Sequence, residues 1–556
     1  MTDTIEIFCK NTNEKIAVPI GSDLLSVYKS LSYKLPHQLA NAKVNHKTEG
    51  LSYRVYNKKV VEYIDISTSS GMRTYVRSLC FVLYKATKDL YPESKMLLEH
   101  PVSKGYYIDL QLGRKVEQQD ITAIKKRMQE IIAADIPFKR VECLTEEAIE
   151  LFDKHGLQDK SLLLRTVGSL YTHYYRLDDL VDFYYGSLLP STGFIYLFDI
   201  QKYNGGVLLI VPNRRTLNEL EEVTEQPKML DIFQENLRFN NILGMNNIGD
   251  LNQAVQKKDD ISELSELIKV SEALHEKKIA KIAEEIAQQN KKVVLISGPS
   301  SSGKTTFSKR LSIQLMTSLK HPVAISLDDY FVEREKTPLD EFGEYDYESL
   351  YSLDLALFNK QLKALINNEV VDMPTYNFNT GKREYNGKKL QIKENSVIIL
   401  EGIHALNPEL TKNIPQEVKY GVYVSALTSI SIDDHNWIPT TDNRLIRRII
   451  RDFRFRGYSA QDTISRWDSV RRGEEKWIFP FQENSDAMFN SALLFEFPVL
   501  RRYAEPILEG VPQNCNEYAE AYRLLKFLRY FTQIQIDEIP QTSLLREFFG
   551  GSSFYY

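Results

Sequence analysis

Residues 293–305 constrain this chain more than any other stretch. Val293-Val294-Leu295-Ile296-Ser297 is a continuous apolar, largely β-branched run, the pattern of a strand buried on both faces of a parallel sheet. It leads directly into Gly298-Pro299-Ser300-Ser301-Ser302-Gly303-Lys304-Thr305, a full G-x-x-x-x-G-K-[ST] match, and a helix-prone stretch from Phe307 to Leu319 follows. Strand, glycine-rich loop and helix in that order make a phosphate cradle. Gly298 and Gly303 let the backbone amides of Ser300, Ser301 and Ser302 curl around phosphate oxygens, and the helix that begins near Thr305-Thr306 adds its positive end. Lys304 is placed to reach the β- and γ-phosphates, and the Thr305 hydroxyl to hold Mg²⁺.

Two acids fall where such a sheet presents its ligand edge. Val323-Ala324-Ile325-Ser326-Leu327 reads as the next strand, with Asp328-Asp329 at its carboxyl end, the edge that lines the crevice of open α/β sheets. A carboxylate there can accept the proton of an attacking hydroxyl. Val397-Ile398-Ile399-Leu400 is a further buried-strand candidate ending in Glu401, which can order Mg²⁺ directly or through water. Downstream, Arg444, Arg447, Arg448 and Arg451 recur at helical spacing, with Leu445, Ile446, Ile449 and Ile450 turned the other way, and Arg454 and Arg456 follow. The near-exclusive use of arginine over lysine favours phosphate contact in a closing lid over a merely solvated face.

At 556 residues the chain exceeds one hydrophobic core, and a soft prior of roughly 150 residues per domain suggests three or four units. The net charge of -5 argues against a dedicated nucleic-acid coat. Neither a secretory leader nor a bilayer-length apolar run is visible, and Cys9, Cys80, Cys143 and Cys515 lie far apart; the expectation is a cytoplasmic protein with reduced thiols. Ile5–Phe8 and Lys15–Val18 read as strands, Met72–Tyr91 as a helix with Val76, Leu79, Cys80 and Leu83 on one face, and Gly193–Phe198 and Val207–Val211 as strands. Residues 214–290 are polar and helix-prone, and Tyr518–Tyr530 reads as a helix in the tail.

Residues 291–508 resemble the uridine/cytidine kinase family of P-loop kinases. Asp328-Asp329-Tyr330-Phe331 looks like the segment carrying that family's catalytic base, and Tyr345-Asp346 like its Phe-Asp pair, whose Asp binds ribose hydroxyls. Pro374-Thr375-Tyr376-Asn377-Phe378 is similar to its Pro-x-Tyr-Asp-Phe, whose aromatics cradle the base, and Leu400-Glu401-Gly402-Ile403 to its Phe-Glu-Gly-Ile. Arg444 to Asp452 matches its arginine helix. From that likeness Arg448 and Arg451 inherit phosphate or substrate contacts and Arg456 a lid role. The base-reading groups depart from the pattern: Gly381 stands where those kinases have a His, the lid reads Arg456-Gly457-Tyr458, and Arg466 replaces a Gln.

Residues 1–215 resemble the β-grasp (TGS) and editing domains of threonyl-tRNA synthetase, through Leu90–Met96 and Gly105–Asp109. The family's H-x-x-x-H pair falls on Arg77 and Phe81, and its Cys-x-x-x-His on Tyr184 and Leu188. Without imidazole or thiol there is nothing to activate a water, so hydrolysis of mischarged tRNA is not expected. The aromatics Tyr171, His173, Tyr174, Tyr175, Phe183, Tyr184 and Tyr185 can stack on bases or refill a core, and the refilled core is preferred.

The expected architecture is multidomain α/β and α+β. A TGS-like β-grasp covers 1–66, an editing-like α+β domain 67–215, a helical connector 216–290, a P-loop kinase-like domain with a helix-flanked parallel sheet 291–508, and a helical tail 509–556. The expected chemistry is transfer of a phosphoryl group from ATP, with Mg²⁺, to the 5′-hydroxyl of a nucleoside. In that scheme Lys304 neutralises charge, Asp328 takes the proton and Thr305 with Glu401 orders the metal. Gly298, Ser300, Ser301, Ser302, Gly303, Thr306 and Arg456 bind the nucleotide; Asp346, Tyr376, Phe378, Arg448 and Arg451 bind the acceptor. Two alternatives stay open: a kinase of another small alcohol, such as a sugar phosphate or vitamin precursor, and a nucleotide-switched RNA-binding regulator. Binding to tRNA is not favoured, no membrane partner is expected, and oligomerisation stays open.

Overall fold

The computed structural model describes residues 4–257, 261–341, 343–377 and 380–556, without the side chains of 261 and 262. Phe378 lies outside the described residues.

The N-terminal strands form a mixed five-stranded sheet in which Thr4–Cys9 pairs antiparallel with Glu14–Pro19 and parallel with Val60–Asp65. The helix Leu24–Ser30, capped by the Asp23 carboxylate on Ser26 N, closes a small core around Ile7, Val18, Leu24 and Val61. This is the β-grasp arrangement. The next helix, Ser69–Leu90, is buried on nearly every side rather than along one stripe. It packs behind a four-stranded antiparallel sheet that includes Lys95–Val102, Gly105–Gln111 and Gly206–Ile210.

Gly193–Phe198 is not a strand: Thr192–Phe194 is a single 3₁₀ turn, and the strand begins at Asp199. The reason is Tyr75, on the buried helix. Its hydroxyl donates to the Leu197 carbonyl (2.7 Å) and accepts from the N–H groups of Tyr196 and Leu197 (3.2 and 3.0 Å). Those backbone groups are satisfied by one side chain, so no ladder is needed.

Residues 214–290 supply the helices Pro227–Leu243, Ile248–Gln256 and Ile261–Gln288. Beyond them lies a fully parallel five-stranded sheet: β1 (Val293–Ser297), β2 (His321–Ser326), β3 (Ser396–Glu401), β4 (Lys419–Ser425) and β5 (Ala487–Asn490), in the order β2-β3-β1-β4-β5. Strand β1 is central, and its apolar run divides by period two. Val294 and Ile296 pack with Ile279, Ile282, Phe307 and Leu311 on one face, and Val293 and Leu295 with Phe358, Leu362 and Phe233 on the other. The helices that bear on the site are α1 (Lys304–Thr317), α2 (Thr440–Phe455) and α3 (Trp467–Trp477).

Of the tail, Tyr518–Leu528 and Arg546–Phe549 are helical and the rest is an irregular strap folded back against α1 and α2. The helical tail expected from the sequence is therefore only partly helical, because residues beyond Arg529 spend their apolar side chains (Phe531, Leu544, Phe548) on the existing core instead of on a new amphipathic face. A cleft of about 660 Å³ lies away from the phosphate loop, lined by Tyr28, Lys34, His37, Phe194 and Tyr196. Among the described residues, no helix is long and apolar enough to cross a membrane.

Candidate active site

The loop 298–303 joins β1 to α1 as the motif requires. Gly303 takes the left-handed region (φ +85°), and a Cβ on Gly298 would strike the Val424 carbonyl, so glycine is demanded at both positions for different reasons. Lys304 is folded over the loop with Nζ donating to the Pro299 carbonyl (3.1 Å). The hydroxyls of Ser301 and Ser302 are buried with no hydrogen-bond partner among the described residues. Unsatisfied buried donors inside a glycine-rich turn at a helix N-terminus fit the oxygens of a phosphate chain.

Asp328 sits at the carboxyl end of β2 and Glu401 at that of β3, both half-buried. Burial raises the Asp328 carboxyl above its ordinary range, and the positive charges of Lys304, Arg456 and Arg451 pull it back. Burial likewise pushes Glu401 up to about 7, against the pull of Lys304 and with the added repulsion of Asp328. Lys304, Arg451 and Arg456 therefore act on Asp328, and Lys304 and Asp328 act on Glu401. Among the described residues, no three His, Cys, Asp or Glu side chains form a metal cage. Mg²⁺ keeps several waters, uses one or two protein ligands beside the phosphates and does not require such a cage. Thr305 and Glu401 are the groups that would hold it.

The arginine helix divides into two functions by burial. Arg444 and Arg447 are 1% and 0% exposed. Arg444 pairs with Glu474 on α3 and bonds the Ser300 carbonyl (3.2 Å), while Arg447 pairs with Glu496 and bonds the Ser491 carbonyl (2.9 Å). These two are braces behind the loop. Arg448, Arg451 and Arg456 gather instead around Asp452, at 3.3, 2.8 and 3.8 Å, and Arg448 also donates to Ser300 Oγ (2.9 Å). Repulsion from Arg451, followed by burial, lowers Arg456 to about 10. Three cations held around one carboxylate beside a phosphate loop form an anion-attracting cluster.

Residues 293–493 match the Phosphoribulokinase / Uridine kinase family. This part of the chain is a P-loop kinase domain. The N-terminal half matches threonine–tRNA ligases: 32% identity to that of Desulforamulus reducens over 31% of this chain and 28% of the relative, and 30% identity to threonine–tRNA ligase 2 of Bacillus subtilis over 34% and 30%. The chain thus spans less than a third of the length of these relatives. A solved structure described as a possible uridine kinase from Bacillus stearothermophilus aligns at 18% identity over 38% of this chain and 100% of its own, with a TM-score of 0.26.

Beside the strand end that carries Asp328, Tyr376 is buried with its ring 5.5 Å from Phe331, and its N–H donates to Asp329 (3.2 Å). Asp329 therefore ties the aromatic segment to the strand end that carries Asp328. Asp346 is half-buried and accepts from the N–H of Glu348 (3.2 Å). Three acids escaped the sequence reading. Burial, partly offset by Arg448, raises Glu348 to about 7, and it feels both Lys304 and Asp328. Glu474, fully buried, accepts from the loop's Ser300 N–H (3.2 Å). Glu547, from the tail, reaches the first turn of α1. Nothing local in sequence marks any of the three, since each matters through a partner distant along the chain.

In the synthetase-like half, Arg77, Phe81, Tyr184 and Leu188 are 7%, 0%, 0% and 4% exposed. Arg77 donates to the Ser187 carbonyl (3.1 Å), and the Phe81 and Tyr184 rings lie 5.5 Å apart. Of the seven aromatics singled out, Tyr174, Tyr175, Phe183 and Tyr184 are buried and Tyr171 is exposed. The refilled core is what the geometry presents.

Proposed function

We propose that this protein is an ATP-dependent, Mg²⁺-assisted kinase that phosphorylates the 5′-hydroxyl of a nucleoside. The observation that carries this reading is the convergence of Lys304, Asp328, Arg451 and Arg456 at the carboxyl edge of the sheet, next to a loop built for phosphates. Asp328 accepts the proton of the attacking hydroxyl; burial raises its carboxyl and so makes it the stronger base, while Lys304, Arg456 and Arg451 oppose that rise. Lys304 and the cluster of Arg448, Arg451 and Arg456 neutralise the charge that spreads over the phosphoryl oxygens, because phosphoryl transfer relies chiefly on positioning and charge stabilisation. Mg²⁺, when bound, supplies further neutralisation of the phosphates. Asp346 holds the ribose hydroxyls, Tyr376 flanks the base, and Arg456 closes over the donor.

A second acceptor reading has one observation in its favour. Arg334 packs directly over Gly381, where the family's base-reading His would stand, and its charge reaches Tyr376. A cation there also suits a small alcohol that carries its own anionic group, such as a sugar phosphate. ADP release from ATP-Mg²⁺ against a panel of nucleosides and small alcohols decides between them, with Lys304→Ala and Asp328→Asn alongside. Turnover with one or a few nucleosides, abolished by Lys304→Ala and lowered about 10²- to 10⁴-fold by Asp328→Asn, is the expected result. Turnover only with a phosphorylated alcohol would replace the acceptor. No turnover with any would turn attention to tRNA binding, read by its salt dependence.

A further inference from the structure

The C-terminal strap ends on the phosphate loop's own helix. Thr306, in the first turn of α1, gives its backbone N–H to Glu547 Oε2 (3.1 Å) and its hydroxyl to the same oxygen (2.6 Å). The hydroxyl of the last residue, Tyr556, lies 2.8 Å from Thr306 Oγ1, and Lys309 Nζ stands 5.6 Å from the Tyr556 ring centre. Leu544 packs against Gly303 so closely that a Cβ on that glycine would collide with it. Leu544 and Phe548 are fully buried in the same core as Phe307 and Leu311. The Phe548 ring also lies under Arg447, 4.9 Å from its guanidinium.

The first-turn N–H groups of this helix are the ones a phosphate loop turns toward the phosphate chain. Here one of them is already satisfied by a carboxylate, and that carboxylate adds negative charge at Glu401, the acid placed to order the metal. A nucleotide's phosphates arriving at the loop meet both an occupied donor and a like charge. Leu544 and Phe548 fix the strap to the core, whereas the Glu547 side chain is only half-buried and is held by its two bonds to Thr306. The pair Gly550-Gly551 (φ +93° and +71°) separates the anchored part from the residues that bring Tyr556 in.

We propose that Glu547 is a resident anion in the donor site: the strap seats its carboxylate on Thr306, in competition with the donor's phosphates, and so restrains nucleotide binding until it is displaced. This rests on the reading of residues 298–306 as the donor site.

The test is calorimetric titration of the full chain with ADP, ATP and adenosine, for wild type, Glu547→Gln, a chain ending at Gly550, and Lys304→Ala. Glu547→Gln keeps the shape and removes the charge. The expected result is ADP and ATP binding tightened about tenfold or more, the scale of one charge-assisted hydrogen bond, with adenosine unchanged because it brings no phosphate. The chain ending at Gly550, which loses Tyr556 and keeps Leu544 and Phe548, is expected to shift the same way by less. Unchanged or weakened ADP binding in Glu547→Gln, with wild type binding ADP and Lys304→Ala impaired, overturns the proposal and leaves the donor site intact. If wild type binds no nucleotide, binding recovered by Glu547→Gln supports the proposal. Absence of binding in both removes the donor site and the proposal together.

Discussion

Removing the Lys160 ammonium tests whether the two halves of the chain are held by buried charge. Lys160 Nζ lies 2.7 Å from Asp433 and 3.1 Å from Asp182, and all three side chains are 0% exposed. His435 Nδ1 meets the other Asp182 oxygen at 2.8 Å, and Asn436 donates to both Asp433 oxygens. Asp433 to Asn436 belong to the kinase domain, whereas Lys160 and Asp182 belong to the synthetase-like half. Lys160→Met keeps the volume and removes the buried cation that Asp433 and Asp182 share, for which the loss is about 3–5 kcal/mol. At roughly 2–4 °C per kcal/mol, the melting transition falls by roughly 6–20 °C. Arg165→Ala is the control, because Arg165 meets Asp153 at the same 2.7 Å but with both side chains about half exposed; it should shift stability by about 0.5 kcal/mol or less.

The pH dependence sharpens that test. In the wild type Asp182 is held down at about 2 against the penalty of its burial, chiefly by His435 and Lys160. Its folded pKa thus lies below the unfolded one, so it contributes stability above roughly pH 4 that is lost as pH falls through about 2. Burial already raises Asp433 above its ordinary range, against the pull of Lys160, so in Lys160→Met it rises further above its unfolded value. The destabilisation is therefore full at pH 8 and shrinks as pH falls and the folded state takes up a proton. Melting curves followed by circular dichroism between pH 5 and 8 measure this. A Lys160→Met protein that melts with the Arg165→Ala control, or whose deficit does not shrink on acidification, would refute the reasoning.

Other perturbations separate the parts of the active site. Arg447→Met breaks a fully buried pair with Glu496 and should cost about 3–5 kcal/mol in thermal stability. Arg451→Ala should leave the melting curve nearly unchanged while kcat/KM falls roughly 10²- to 10³-fold. With Glu401 at about 7, metal binding needs its proton removed, so the apparent Mg²⁺ affinity in activity assays should weaken about tenfold from pH 8 to pH 6, and Glu401→Gln should flatten that profile. Gly298→Ala drives a methyl into the Val424 carbonyl and should abolish ADP binding in equilibrium dialysis.

The sheet, the loop and the acids at the strand ends were legible because their signals are local: a β-branched run, a spaced glycine motif and a carboxylate at a boundary. The arginine helix was legible as a helix but not as two functions. Spacing alone gives Arg444, Arg447, Arg448 and Arg451 one description, and what separates them is Glu474 and Glu496, 30 and 49 residues downstream of their partners. The strand read into Gly193–Phe198 failed for the same kind of reason, since Tyr75 answers its backbone from 121 or 122 residues away. Glu547 meets Thr306 across 241 residues, in a tail whose composition carries no sign of a nucleotide site.

The packed interior of the synthetase-like half and its grip on the arginine helix belong to one arrangement. The segment from Asp433 to Trp437 lies between the end of β4 at Ser425 and the start of α2 at Thr440, and so leads into the arginine helix. That segment is gripped from the other half: Asp182 and Lys160 hold its charged groups, Tyr84 lies 4.1 Å from His435, Tyr106 lies 4.7 Å from Trp437, and Leu98 N–H donates to the Asp434 carbonyl. A second tie joins the first turn of α2 to the same half, because Arg523 pairs with both Asp442 and Glu520, and Glu520 with Arg73. Arg77, Phe81 and Tyr184 are themselves buried, so this half presents a packed core behind the groups that grip the segment. Cutting the halves apart would strip Asp433, His435 and Trp437 of their buried partners at the entrance to the helix that carries Arg448 and Arg451. The synthetase-like half is on this argument a structural support of the proposed site, so its substitutions should change nucleotide binding without touching the ligand.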